Sequence, residues 1–159
     1  MNPLDRLIAI EEIKALMARR VRCLDNKDWD GFADCYAPDA SASWSETGNS
    51  QSGGRAIAER NANSLRGITT VHQVHTPEIT IETADSASAI WPLNDILSWE
   101  RGGKRHWYRG YGHYHQRYVR KEGRWFISEH KLTRLFTERG SEDPGTDHGP
   151  IGPGQEPGA

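Results

Sequence analysis

The sequence predicts an α+β domain in which helices come first and a curved antiparallel sheet closes over them. Three observations carry that expectation: an apolar stripe at helical spacing in the first 25 residues, alternating β-branched and aromatic runs from Thr69 onward, and short Gly- or Asp-containing connections between those runs. With 159 residues the chain has room for one core and not for two.

Local chemistry sets the order of elements. Asn2, Pro3 and Asp5 form a helix start: a side-chain cap, a proline in the first turn and a carboxylate near the positive end of the dipole. The helix that follows carries Leu7, Ile10, Ile13, Leu16, Met17, Val21 and Leu24 as its buried stripe. Asp28 caps a second, short helix with Trp29, Phe32 and Tyr36 on one side, and Ala37-Pro38-Asp39 ends it. A short strand over Ser41–Ser45 and a third helix, opened by Gly53-Gly54 and running to Leu65, complete the first half. Four strand-like runs then cover 69–83, 86–100, 104–121 and 124–137, joined through Ala84-Asp85, Arg101-Gly102-Gly103 and Glu122-Gly123. Runs this long demand strong curvature, and Pro92, which has no N–H to give the ladder, predicts a bulge.

Residues 1–137 read as the folded domain and 138–159 as a tail. The tail holds Glu138, Glu142, Asp143, Asp147 and Glu156 against Arg139 alone, and residues 140–159 contain six glycines and four prolines. Such a tail is expected to lie across a subunit surface. Of the net charge of −2 the tail contributes −4, so the body is +2, far short of the clustered cations that hold a polyphosphate backbone. Nucleic acid is excluded as a partner. The N-terminus lacks a basic start followed by an apolar block, and no apolar run approaches the roughly 20 residues of a membrane span. Cys23 and Cys35 fall on helix-like segments and read as buried reduced thiols, so a soluble cytoplasmic chain is expected.

The candidate chemistry follows from which side chains share a strand face. Alternation places Ala89, Trp91, Leu93, Asp95, Leu97 and Trp99 together, which puts a carboxylate in an apolar stripe where it needs a cation partner or a proton. On the next strand Gly110, Gly112, Tyr114 and Gln116 share a face, and paired glycines leave room for a cavity or ease sheet coiling. On the last strand Phe126, Ser128, His130, Leu132, Arg134 and Phe136 mix aromatic walls with polar groups, as a small-molecule pocket does. His72 and His75 point to opposite faces, so one at most reaches the interior, and His72 is expected there. His113 and His115 share a face but lack an evident third ligand, so no metal is expected. Asp25, at the end of the first helix, is not needed as a cap and is free to orient the His72 imidazole as a general base.

Asp25-Asn26-Lys27-Asp28-Trp29 after a long helix, His72 and His75 before Thr76-Pro77-Glu78-Ile79-Thr80-Ile81, and Glu122-Gly123-Arg124-Trp125 resemble the SnoaL-like branch of the nuclear-transport-factor-2-like superfamily over residues 3–137. Arg22-Cys23-Leu24-Asp25, the His72–Ile81 stretch and Trp91-x-Leu93-x-Asp95 look most like bile acid 7α-dehydratase, and more distantly like scytalone dehydratase and hexachlorocyclohexane dehydrochlorinase. The resemblance implies a cone of curved sheet around a deep pocket shielded by three helices. It places the catalytic base on His72, its orienting carboxylate on Asp25, a pocket aspartate on Asp95, a last-strand arginine on Arg134 and an aromatic wall on Trp44. Arg20 stands where the bile acid enzyme has a tyrosine and the dehydrochlorinase a lysine, and a fixed cation suits a departing anion or a substrate carboxylate. The function implied is a cofactor-independent, dehydratase-type elimination: proton abstraction beside a carbonyl of a small hydrophobic polycyclic or aromatic substrate. Arg20 or Arg134 would stabilise the negative charge, or a protonated Asp95 would donate to it. A ketosteroid-isomerase-like activity and a non-catalytic ligand-binding role are the alternatives. Trp44, Tyr114, Ser128, His130 and Phe136 are the expected substrate contacts, and a homodimer or homotrimer is expected.

Overall fold

A computed structural model describes residues 1–44 and 50–142. Helix α1 (Pro3–Asp25) starts where the caps place it, with the Asn2 side chain accepting the Asp5 N–H. Its buried face is Ala9, Ile13, Leu16, Met17, Arg20, Cys23 and Leu24, and Leu7 is 61% exposed. The expected stripe is corrected at that end because the line through Ile13 runs back one turn to Ala9, and Leu7 lies about 200° around the helix from Ala9. Helix α2 (Trp29–Ala33) is capped by Asp28, whose side chain accepts the Gly31 N–H. Strand β1 (Tyr36–Trp44) starts earlier than expected, at Tyr36, and β2 (Ser50–Ser52) precedes α3 (Gly54–Ser64).

The run from Thr69 divides into β3 (Thr69–Val74) and β4 (Glu78–Ile81), and β5 (Ser86–Arg101), β6 (Lys104–Lys121) and β7 (Arg124–Glu142) form a long meander. The sheet order is β2-β1-β7-β6-β5-β3, with β4 also pairing β5, and every pairing is antiparallel except β1 with β7. The long strands curl around α1, and the named faces of β5 and β6 line the concave side.

Pro92 makes no bulge. β5 and β6 pair without a slip from Ser86↔Val119 to Arg101↔Lys104. On its other edge β5 meets β3 up to Leu93 and β4 from Ile90, so the missing N–H falls in the gap between two strands, where the Pro92 carbonyl still accepts the His75 N–H at 2.9 Å. The bulges are in β7. Opposite β6 the register slips once around Ser128 and once around Leu135, because Arg117 faces Glu129 while Tyr118 faces Ile127, and Tyr111 faces Phe136 while Gly112 faces Arg134. Each slip flips the alternation. The inward set therefore becomes Trp125 and Ile127, then His130, Leu132 and Arg134, then Thr137. β7 also continues to Glu142 rather than ending at Thr137. The remainder of the tail, and Ser45 of the expected first strand, lie outside the described residues.

Candidate active site

β3 is an edge strand, paired only with β5, so the N–H of His72 on its outer edge has no ladder partner and meets the last residue of α1 instead. That N–H donates to Asp25 Oδ2 at 2.8 Å, and the His72 ring Nδ1 lies 2.6 Å from Asp25 Oδ1. The Thr70 hydroxyl, one alternation earlier on the same face, donates to Oδ1 at 2.8 Å and accepts from Lys27 Nζ at 2.7 Å. Lys27 reaches it from the turn after α1, where its φ is 60°. Burial pushes the Asp25 carboxyl up, but the His72 ring, the His72 N–H and Thr70 together outweigh burial and hold it below its ordinary range. An ionised Asp25 keeps the ring proton on Nδ1, which leaves Nε2 as a bare base. Nε2 is 3.7 Å from Asp95 Oδ2, beyond hydrogen-bond length.

This depressed carboxyl sets an acid limit on stability. Because the folded pKa lies below the unfolded one, about 3.9 for a free Asp, the contribution is complete above that value and is lost as pH falls through the folded pKa. Urea titrations of wild type and Asp25→Asn from pH 7 to pH 2 are expected to show a constant wild-type advantage down to about pH 4, shrinking below it. An advantage that does not shrink in acid contradicts the assignment.

Opposite the imidazole, Arg134 Nη1 and Nη2 donate to Asp95 Oδ1 and Oδ2 at 2.9 and 2.7 Å. The pair lies directly over Gly110, where any Cβ would overlap both Asp95 Oδ1 and Arg134 Nη1. Absence of a side chain at Gly110 is therefore what gives this two-pronged pair its place. Both Asp95 oxygens accept from Arg134, which is the arrangement of an ion pair and not that of the hydrogen-bond donor considered above.

Arg20 is only 3% exposed. Its Nε donates to Tyr36 Oη at 2.8 Å, its Nη2 lies 3.3 Å from His130 Nε2, and its Cζ sits 4.8 Å from the Tyr114 ring and 5.2 Å from the Phe32 ring. Nη1 has no hydrogen-bond partner among the described residues. Burial raises the hydroxyls of Tyr36 and Tyr114 and drives His130 well below its ordinary value, so Arg20 is a cation among neutral groups.

A cavity of about 700 Å³ joins these groups. Its wall includes Arg20, His72, Asp95, Arg134, Trp44 and Tyr114, all expected from sequence, and Trp99, Tyr108, Leu97, Leu132, Arg60 and Thr137. Asp25 stands behind His72. His130 stands behind Tyr114, with ring centroids 4.6 Å apart, and is not part of the wall. Ser128 and Phe136 are corrected: Ser128 is the extra residue of the first bulge, and Phe136 is 57% exposed on the outer face, stacked on Tyr111. Leu97 and Trp99 continue the Asp95 alternation, and Tyr108 continues that of Gly110, so both were within reach of strand periodicity. Thr70 was too, two residues from His72. Arg60, whose guanidinium lies 3.7 Å from the Trp44 ring centroid, had no sequence signal. His113 and His115 lie on the outer side with ring centroids 6.1 Å apart, and His115 Nε2 is paired with Thr133 Oγ1.

The profile of the SnoaL-like domain family matches residues 5–131. This chain is a SnoaL-like protein. Its fold is the cone of the nuclear-transport-factor-2-like superfamily, and solved structures match it over nearly the whole length. A hexachlorocyclohexane dehydrochlorinase, LinA type 2, superposes with a TM-score of 0.79 at 19% identity, covering 97% of this chain and 100% of that one. A candidate scytalone dehydratase from Novosphingobium aromaticivorans gives 0.75 at 18% identity, covering 90% and 97%. A candidate aromatic ring hydroxylase from the same organism gives 0.73 at 22% identity, covering 89% and 96%. At these identities the likeness establishes the fold, and the family it falls in includes lyase-type enzymes.

Proposed function

We propose that this SnoaL-like protein is a cofactor-independent lyase that eliminates water, or an equivalent leaving group, from a small aromatic or polycyclic ketone. The observation that carries the reading is the 2.6 Å Asp25–His72 pair at an aromatic-walled cavity whose lining also includes the buried cation Arg20. His72 Nε2 takes a proton from the carbon beside the carbonyl, and Asp25 stabilises the imidazolium that results. The electron pair left behind forms an enolate, which collapses to an alkene and expels the oxygen on the next carbon. Arg20 steadies that oxygen as charge builds on it, and the imidazolium returns the proton to it, so substrate becomes enone plus water. Of the two arginines expected for this task, Arg134 has both Nη atoms engaged by Asp95, which favours Arg20.

Trp44, Trp99, Tyr108 and Tyr114 supply flat apolar walls, and a volume of about 700 Å³ suits a bicyclic or tricyclic ring system. Among the described residues no helix is long and apolar enough to cross a membrane, and Cys23 and Cys35 are both buried free thiols, which supports a reducing, cytoplasmic setting. Val71, Ile96, Tyr111 and Phe136 on the outer sheet face support self-association as a dimer or trimer. The test is incubation with 3-hydroxy-1-tetralone, a bicyclic β-hydroxy ketone. Water loss gives 1-naphthol, which absorbs distinctly. Proton exchange beside the carbonyl without naphthol would favour the isomerase reading, and binding with neither would favour a ligand carrier.

A further inference from the structure

Behind the cavity wall runs a buried chain of polar groups that is hydrogen-bonded to the wall through Arg20. Arg20 Nη2 meets His130 Nε2 at 3.3 Å, His130 Nδ1 meets the Gln116 amide at 2.9 Å, the other end of that amide meets the Tyr118 hydroxyl, and Trp91 Nε1 donates to the same hydroxyl at 2.9 Å. Gln116, His130 and Tyr118 are each 2% exposed, so the chain is shut off from bulk solvent.

We propose that His130, locked with its proton on Nδ1 by the charge of Arg20, forms with Gln116 and Tyr118 a positioning relay that fixes the plane of the Arg20 guanidinium at the cavity wall.

The argument is one of donor counting. Both ends of the chain, the Trp91 indole and the Arg20 guanidinium, can only donate. A hydrogen-bonded chain with a donor at each end must contain one group that accepts twice or one contact that fails. With the Gln116 oxygen toward Tyr118 and its nitrogen toward His130, as the structure has it, His130 Nδ1 accepts and Nε2 carries the proton. The failure then falls at Arg20, where an imidazole N–H faces a cationic N–H. Turning the amide by half a turn, a change that alters no shape, moves the double acceptance to the Tyr118 oxygen, which has two lone pairs for Trp91 and Gln116. The amide oxygen then takes the Nδ1 proton, and His130 Nε2 accepts from Arg20. What is lost is an acceptor for a neutral tyrosine proton; what is gained is a bond to a buried cation, which is the stronger of the two. Burial first, then the charge of Arg20, keeps His130 neutral, so it has only one proton to place.

The consequence for the site is mechanical. Tyr36 holds Nε and His130 holds Nη2, which fixes the guanidinium plane at the cavity wall. The value of that plane to catalysis rests on the role proposed for Arg20 above. Its orientation does not.

Nitrogen-15 NMR of the full chain with labelled histidine reads the tautomer without any substrate. A protonated Nδ1 and bare Nε2 at His130 are expected, and a protonated Nε2 overturns the proposal. Positioning is read from the Arg20 Nη–H signals, expected to be separate in wild type, to merge in Gln116→Leu as the guanidinium turns freely, and to stay separate in Gln116→Glu, which keeps an acceptor for Nδ1–H. Separate signals in Gln116→Leu overturn the relay; should that variant not fold, the wild-type tautomer still decides. If 3-hydroxy-1-tetralone is turned over, Gln116→Leu should slow naphthol formation by roughly 10- to 100-fold and leave exchange at the α-carbon unchanged. Because the NMR readings need no turnover, a failed lyase reading and a failed relay give different results.

Discussion

His72→Ala is expected to lower deuterium exchange at the carbon beside the carbonyl of 3-hydroxy-1-tetralone by about 10²–10⁴-fold, the usual cost of removing a positioned base. The geometry supports that role: Asp25 holds Nδ1 at 2.6 Å, and Nε2 lies 3.7 Å from Asp95 Oδ2, beyond hydrogen-bond length. Arg20→Met, which keeps most of the buried volume, is expected to leave exchange near the wild-type rate and to slow naphthol formation by about 10²–10³-fold, because an anion stabiliser matters only in the step where charge appears. Exchange reports proton removal separately from expulsion of the oxygen, provided the enolate lives long enough to exchange. His72→Ala exchanging at the normal rate would place the base elsewhere. Equal loss of exchange and elimination in Arg20→Met would make Arg20 a binding group and not a stabiliser of the leaving oxygen.

Arg134→Met is expected to destabilise the fold by about 3–5 kcal/mol, since it leaves the Asp95 carboxylate buried without its cation. The side chains of Asp95 and Arg134 are 4% and 12% exposed, so solvent replaces little of what is lost. The double variant Asp95→Leu/Arg134→Met should recover most of that loss, because removing both charges removes the desolvation cost along with the attraction. Urea unfolding at pH 7 of wild type, Arg134→Met and the double variant measures the loss and its recovery. Gly110→Ala provides an independent check that leaves both charges in the chain: its Cβ would occupy the space of the pair, so it should destabilise in wild type and far less in the double variant. Equal cost in both backgrounds would mean that Gly110 matters to the backbone and not to the pair.

Much of the site was legible before any coordinates. Period-two alternation together with the family resemblance put His72 inward and His75 outward, and His75 is exposed with its Nε2 on Asn94 Oδ1 at 2.8 Å. The same rule put Asp95 in an apolar stripe and Tyr114 on its glycine-bearing face, because β5 and β6 run without a slip and the periodicity survives from one end to the other. β7 broke the rule twice. A bulge inserts one residue and costs the strand nothing in composition, so neither Ser128 nor Leu135 announces itself, yet each reverses the side to which the following residues point. That is why His130 and Arg134 were placed inward correctly while Ser128 and Phe136, in the same alternating list, were not.

The sequence by itself determined the helix starts, the strand runs, the placement of an acid at the end of α1 within reach of a strand histidine, and the family. These rest on signals carried within a few neighbouring residues: caps, periodicity, turn glycines and short motifs. Only the tertiary structure decided which charges cancel. Arg134 joins Asp95 from 39 positions away and Arg20 meets His130 from 110 away, so no local pattern encodes either contact. It also decided that Pro92 falls in a gap between two strands and needs no bulge, and that Arg20 lies buried among neutral rings. The physical reason is the same in each case: burial makes an unpaired charge or N–H costly, and what relieves that cost is set by which elements the curved sheet brings face to face.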